Sequence, residues 1–174
     1  MKKKHKHKHG GIGKEFPHTD QLNIILAIAF LLIWFLDTFI FQFSIWLATF
    51  IPLLIRIIIF ASLLILSFVL GNSSHKILFG GNNEATSLIK NGVFARVRHP
   101  LYLSMLLVYL AFALVSMSLI CIIFWILMFI LYDRMASYEE KDLEKIFSEE
   151  YAEYKKRVGK WFPKLLSSKI ENSK

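Results

Sequence analysis

From Leu101 to Asp133 the chain runs almost unbroken through apolar residues, with Ser116-Met117-Ser118 as the only break. One helix over all of it would stretch about 50 Å at 1.5 Å per residue. A bilayer's hydrocarbon core is only about 30 Å thick. Folded as two short helices that meet at the serines, the same residues return to the membrane face they left. Two further runs, residues 22–43 and 47–70, are each long enough to cross. The turn between them, Gln42-Phe43-Ser44-Ile45-Trp46, holds no basic residue, and neither does the turn at the serines. Lys and Arg gather instead in the N-terminal segment, in residues 71–100 and in the C-terminal region. That is the positive-inside pattern for four helices with both termini cytoplasmic. The expected fold is therefore all-α: a polytopic membrane protein with about four transmembrane helices, over residues 22–43, 47–70, 101–116 and 118–134.

Composition supports a membrane class. The hydrophobic share is 55%, above the roughly 45–50% of soluble domains. The net charge of +8 does not point to nucleic acid. Much of it sits in Lys2, Lys3, Lys4, Lys6 and Lys8, and the rest lies beside apolar runs, where basic residues meet anionic headgroups. Cys121, the single cysteine, reads as a small buried hydrophobe. Residues 1–20 read as a disordered basic, His-rich tail ahead of a single domain over residues 21–174. His5, His7 and His9 are of metal-ligand type, but the interleaved lysines repel a cation, and no metal site is expected. Two ionisable residues interrupt the spans, Asp37 and Arg56. A structural ion pair or snorkelling is expected of them.

Residues 71–100 read as the longest polar linker, with Gly/Asn turn signals at Gly71-Asn72, Gly81-Asn82 and Asn91-Gly92. Over residues 137–158 the apolar positions Leu143, Ile146, Phe147, Tyr151, Tyr154 and Val158 follow steps of three and four, which predicts an amphipathic helix at the membrane surface. Trp161, Phe162 and Pro163 suit a headgroup-level anchor.

Two polar words border the last apolar region. Arg98-His99-Pro100-Leu101-Tyr102 stands at its start. Proline disfavours helix at His99 and suits a helix's first turn, so the word lies at a helix N-terminus, where free N–H groups favour an anion. Glu139-Glu140 stands beyond its end. Ser137 and Glu140 have capping-box spacing, which leaves Glu139 to hold a cationic group. An anion site beside a cation site suits a zwitterion such as an amino-acid moiety.

The run Leu88-Ile89-Lys90-Asn91-Gly92-Val93-Phe94-Ala95-Arg96-Val97-Arg98-His99-Pro100-Leu101-Tyr102 resembles the signature of the isoprenylcysteine carboxyl methyltransferase and phospholipid methyltransferase superfamily. So does Glu139-Glu140 followed by Leu143, Phe147, Tyr151, Tyr154 and Phe162-Pro163, the resemblance covering roughly residues 50–166. It implies an integral-membrane methyltransferase that uses S-adenosylmethionine on a lipophilic methyl acceptor: an isoprenylcysteine-type carboxylate, a headgroup amine or a small thiol. No Gly-rich dinucleotide fingerprint follows a strand. The resemblance further implies that His99, Tyr102 and Glu139, with Glu140 adjacent, bind the cofactor. It adds Thr86, Ser87, Leu88 and Ile89, then Phe94 where Tyr is commoner, and Pro100 and Leu101 along the same stretch. Arg134 is near the place of an arginine that faces substrate. Ser104 and Ser148 depart from the pattern, which has glycine at both positions. Membrane sterol reductases, which use NADPH, share an Arg-His-Pro-x-Tyr word, but Glu139-Glu140 with Leu143 and Phe147 favours the methyltransferase. A non-catalytic scaffold with the same fold is the remaining alternative.

Overall fold

The computed structural model describes residues 18–79 and 87–164. The tail with His5, His7 and His9, Thr86 of the loop, and residues 165–174 lie outside the described residues. Four helices follow in order: α1 (Thr19–Phe35), α2 (Leu53–Phe79), α3 (Pro100–Ser116) and α4 (Leu119–Arg157). Among the described residues the sole strand-like pairing is one parallel bridge between Val97 and Gly159. Helices α1 with its extension, α2 and α4 are long and apolar enough to cross a membrane, and α3 is a shorter apolar helix. Large apolar side chains on α1 and α2 face outward, among them Ile25, Leu54, Ile65 and Phe68. Apolar character on all sides marks helices whose solvent is lipid.

The 101–133 run is a hairpin. Met117 turns the chain in the left-handed region at φ 56°, and Ser118 then caps α4 by accepting the Cys121 N–H at 3.1 Å. The far end of the bundle is tied at Asp37, which sits in a π-helical extension of α1 (Leu36–Phe41). Its carboxylate accepts from Ser44 N, Ser44 Oγ and Ser118 Oγ, joining the two turns there. Arg56 donates to the Val115 carbonyl at 2.8 Å. Among the described residues Asp37 and Arg56 form no ion pair with each other: the turns satisfy the Asp37 carboxylate, while Arg56 spends Nη1 on the end of α3 and its buried Nε has no hydrogen-bond partner.

The second span begins later and ends later than expected. A 3₁₀ turn (Trp46–Thr49) and Pro52 lengthen the first connection. At the other end Gly71-Asn72-Ser73-Ser74-His75 continue α2 instead of turning. Small residues there let α2 lie close along α3: Ser67 Oγ donates to the Ser104 carbonyl at 2.7 Å, and a Cβ on Gly71 would stand 3.3 Å from Ser104 Oγ. Close packing through small residues is how helices associate without a hydrophobic drive between them.

The amphipathic stretch is no separate helix. α4 leaves the membrane and runs on to Phe147, so Ser137 lies mid-helix, bonded to the Asp133 carbonyl, and no capping box forms. At Ser148 the backbone breaks, with φ 42° and ψ −111°. The chain then folds back. Lys155 reaches Glu144 at 2.5 Å, and Trp161 Nε1 reaches Asp133 at 2.9 Å, pairings that a straight helix would hold about 17 Å and about 42 Å apart. Trp161 is therefore buried, against Phe129 and His99, and is not a headgroup anchor. Phe162 beside it is 75% exposed.

Candidate functional site

The site forms where the loop before α3 meets the folded-back end of α4. A 3₁₀ turn (Gly92–Ala95) brings the chain to Val97 and Arg98. The Arg98 N–H donates to the Gly159 carbonyl at 2.9 Å and the His99 N–H to the Lys160 carbonyl at 3.4 Å. Pro100 then opens α3, so His99 is held at the helix N-terminus from its backbone outward.

Glu139 and Glu140 point to different places. Glu140 is buried behind the loop, where Arg98 Nε donates to its Oε1 at 2.9 Å and His99 Nε2 lies 3.0 Å from the same oxygen. Lys155 Nζ stands 3.6 Å from the other oxygen. Arg98 also donates through Nη1 to the Val158 carbonyl at 2.5 Å. Burial alone would raise the Glu140 carboxyl, but hydrogen bonds from His99 and Arg98 outweigh it and hold its pKa at about 2. Burial pushes His99 below its ordinary value, and Glu140 only partly offsets this. His99 is thus a neutral imidazole whose proton sits on Nε2, facing a carboxylate.

The other ring nitrogen is consequently an acceptor. His99 Nδ1 lies 3.9 Å from Glu139 Oε2, and Tyr102 donates its hydroxyl to Glu139 Oε1. The His99 and Tyr102 rings stand nearly parallel, 6.0 Å apart, and Tyr102 is backed by Tyr132. Two acceptors face one another here, and the group that fits between them is a hydrogen-bond donor or a cation.

These groups sit on one wall of a cavity of about 290 Å³, at the lower end of the roughly 300–1,000 Å³ of ligand pockets. Of the residues singled out in the sequence, Leu88, Ile89, Phe94, His99, Pro100, Leu101, Tyr102 and Glu139 line it. Ser87, Glu140 and Arg134 do not; Ser87 and Arg134 are exposed, and Glu140 works from behind. The folded-back helix adds Leu143, Phe147, Tyr151 and Tyr154 as an apolar, aromatic side. Sequence reasoning missed the contribution of α1, where Thr19, Asp20 and Asn23 close the cavity from the far side. A helical turn with three polar side chains at the edge of the first span was the one available signal.

Comparisons with known proteins agree with this arrangement. No curated protein matches the chain. Among solved structures it is similar to a eukaryotic intramembrane Ras methyltransferase, isoprenylcysteine carboxyl methyltransferase, at 21% identity with a TM-score of 0.59. The match covers 85% of this chain and 54% of the other, so the chain spans about half the length of that protein. The likeness is one of fold. The family model for phospholipid methyltransferase matches residues 47–150, which include both polar words and most of the cavity wall. The chain belongs to the phospholipid methyltransferase family.

Proposed function

We propose that the chain is an integral-membrane methyltransferase that takes its methyl group from S-adenosylmethionine and passes it to a lipophilic acceptor, an isoprenylcysteine-type carboxylate or a lipid headgroup amine. The observation that carries the reading is the pair of facing acceptors, His99 Nδ1 and Glu139, set beside the N-terminus of α3. The donor set fits the cofactor's amino-acid end. Glu139 and His99 would take the ammonium, and the free N–H groups of the first turn of α3 would take the carboxylate. Phe94, Tyr151 and Tyr154 offer flat apolar faces for the nucleoside.

When bound, the cofactor supplies an electrophilic methyl on a sulfonium. The protein's part is then to position and to exclude water. Leu78, Phe79 and Met105 form an apolar flank of the same cavity, suited to the hydrocarbon part of an acceptor. A carboxylate acceptor attacks without losing a proton. An amine acceptor must lose one, and the Glu139 carboxylate is at hand to receive it. The positive-inside pattern supports a cytoplasmic side for the cavity and both termini, the side on which a water-soluble cofactor is made.

Calorimetry with S-adenosylhomocysteine on the detergent-solubilised protein tests the reading. Micromolar binding is expected, weakened at least tenfold by His99→Ala or Glu139→Ala, with helix content unchanged. Binding of NADPH instead, with none of the nucleoside, would move the chain to the reductases.

A further inference from the structure

A second cavity, of about 590 Å³, opens between the loop before α3 and the folded-back end of α4. Tyr154 lines both cavities, and its hydroxyl donates to the Phe94 carbonyl at 2.7 Å, so the two share a wall. The second cavity carries Lys90, Arg96, Arg157 and Lys164 against two carboxylates, Glu150 and Glu153. Both carboxylates have their own ammonium groups, Lys90 at 2.5 Å from Glu150 and Lys156 at 2.7 Å from Glu153. Lys164 spends its ammonium on the carbonyls of Lys155 and Lys156. Arg96 and Arg157 remain, the second also lending its charge to Glu153 from a distance. Both are exposed, and among the described residues neither guanidinium donates a hydrogen bond.

We infer that this second cavity binds a phosphate-bearing anion through Arg96 and Arg157, with the head of an anionic phospholipid as its occupant. Each guanidinium presents a planar fork of donors that matches phosphate oxygens. A pair of them on one cavity, with the local carboxylates already matched, leaves a surplus of positive charge. The place selects a lipid source. Arg96 stands four residues before Pro100, where the apolar span begins, and the exposed Phe162 adjoins Pro163 and Lys164 on the cavity rim. An aromatic ring beside cations at a span's end is the pattern of a headgroup contact. The site rests on the fold and on these side chains, and it stands whether or not the first cavity holds S-adenosylmethionine.

The test is the melting temperature of the full chain in neutral detergent at fixed ionic strength. The probes are dioctanoyl phosphatidylglycerol, dioctanoyl phosphatidylcholine and sodium phosphate. Binding to the folded state raises the midpoint. Phosphatidylglycerol is expected to raise it by several degrees and phosphatidylcholine to leave it unmoved. The rise disappears in Arg96→Gln/Arg157→Gln and survives in Lys141→Gln/Lys145→Gln, which removes the same charge from exposed positions on α4. The two single arginine variants, each with a reduced rise, serve if the double variant does not fold. An equal, arginine-dependent rise with sodium phosphate keeps the anion site and assigns it to a soluble phosphate. No rise in the wild type, or one that the double arginine variant retains, overturns the proposal.

Discussion

A carboxyl group taken out of water needs compensation, and Glu140 has it from Arg98, His99 and Lys155. A depressed carboxylate stabilises the fold above its unfolded pKa, and that share is lost as pH falls toward the folded value. Here the window runs from the ordinary 4.5 down to about 2. Glu140→Gln leaves Arg98 buried without its counter-charge, so it is expected to cost about 3 kcal/mol at neutral pH. The gap from wild type should narrow as pH drops below that upper bound, a trend that thermal melts at stepped pH will show. His99 adds loss of a different sign of charge: it stays neutral when folded, so the unfolded chain takes up the proton first, and stability falls as pH drops through 6.5. At Ser148 a side chain occupies φ 42°, ψ −111°, a region glycine favours. Ser148→Gly should raise stability by about 1 kcal/mol, read as a higher melting midpoint. The family resemblance already implied glycine there. What adjacent letters cannot disclose is the division of labour in Glu139-Glu140. Neighbours on a helix point about 100° apart, and only the packing partner decides which one meets the cavity.

The helices themselves were readable where length and apolarity settle the matter, as in α1 and in the hairpin at Met117. They were not readable where polar small residues serve packing. Gly71, Ser73 and Ser74 spell a turn, yet Ser74 bonds back to the Leu70 carbonyl and the helix continues against α3. The reversal at Ser148 was hidden for the opposite reason: the steps of three and four run straight across it, and serine is a weak turn signal. The returning segment, Val158 to Trp161, then proves as important as the motif it holds. It binds the backbone of Arg98 and His99, and Lys160 fastens it by bonds to Asp133 Oδ1 at 2.6 Å and Ser137 Oγ at 2.8 Å. Gly159 passes so near the Phe162 carbonyl that a methyl group would overlap it. Gly159→Ala should therefore displace the segment and weaken S-adenosylhomocysteine binding about tenfold or more, while circular dichroism still reports the membrane helices.

For the molecule as a whole, the two ends of the bundle are built differently. One end carries hydroxyl and carboxylate links at Asp37, Ser44 and Ser118; the other carries the ion pairs and both cavities. The proposed orientation puts the first end outside. A cysteine at Thr49 should react with a membrane-impermeant maleimide only in right-side-out vesicles, and one at Lys145 only in inside-out vesicles; the native Cys121 is buried and silent. The reverse pattern would refute the cytoplasmic placement. The backward fold at Ser148 also sets an order on birth. At about 5–20 residues per second, the ribosome finishes His99 seconds before it makes Lys160 and Trp161, the residues that fix it. Until then the hairpin of α3 and α4 must enter the bilayer with an unfinished pocket: Glu140 is already made, but the carbonyls of Gly159 and Lys160 that hold the backbone of Arg98 and His99 are not. Docking of that last segment on the start of α3, and not insertion of the fourth span, is therefore the step that completes the pocket.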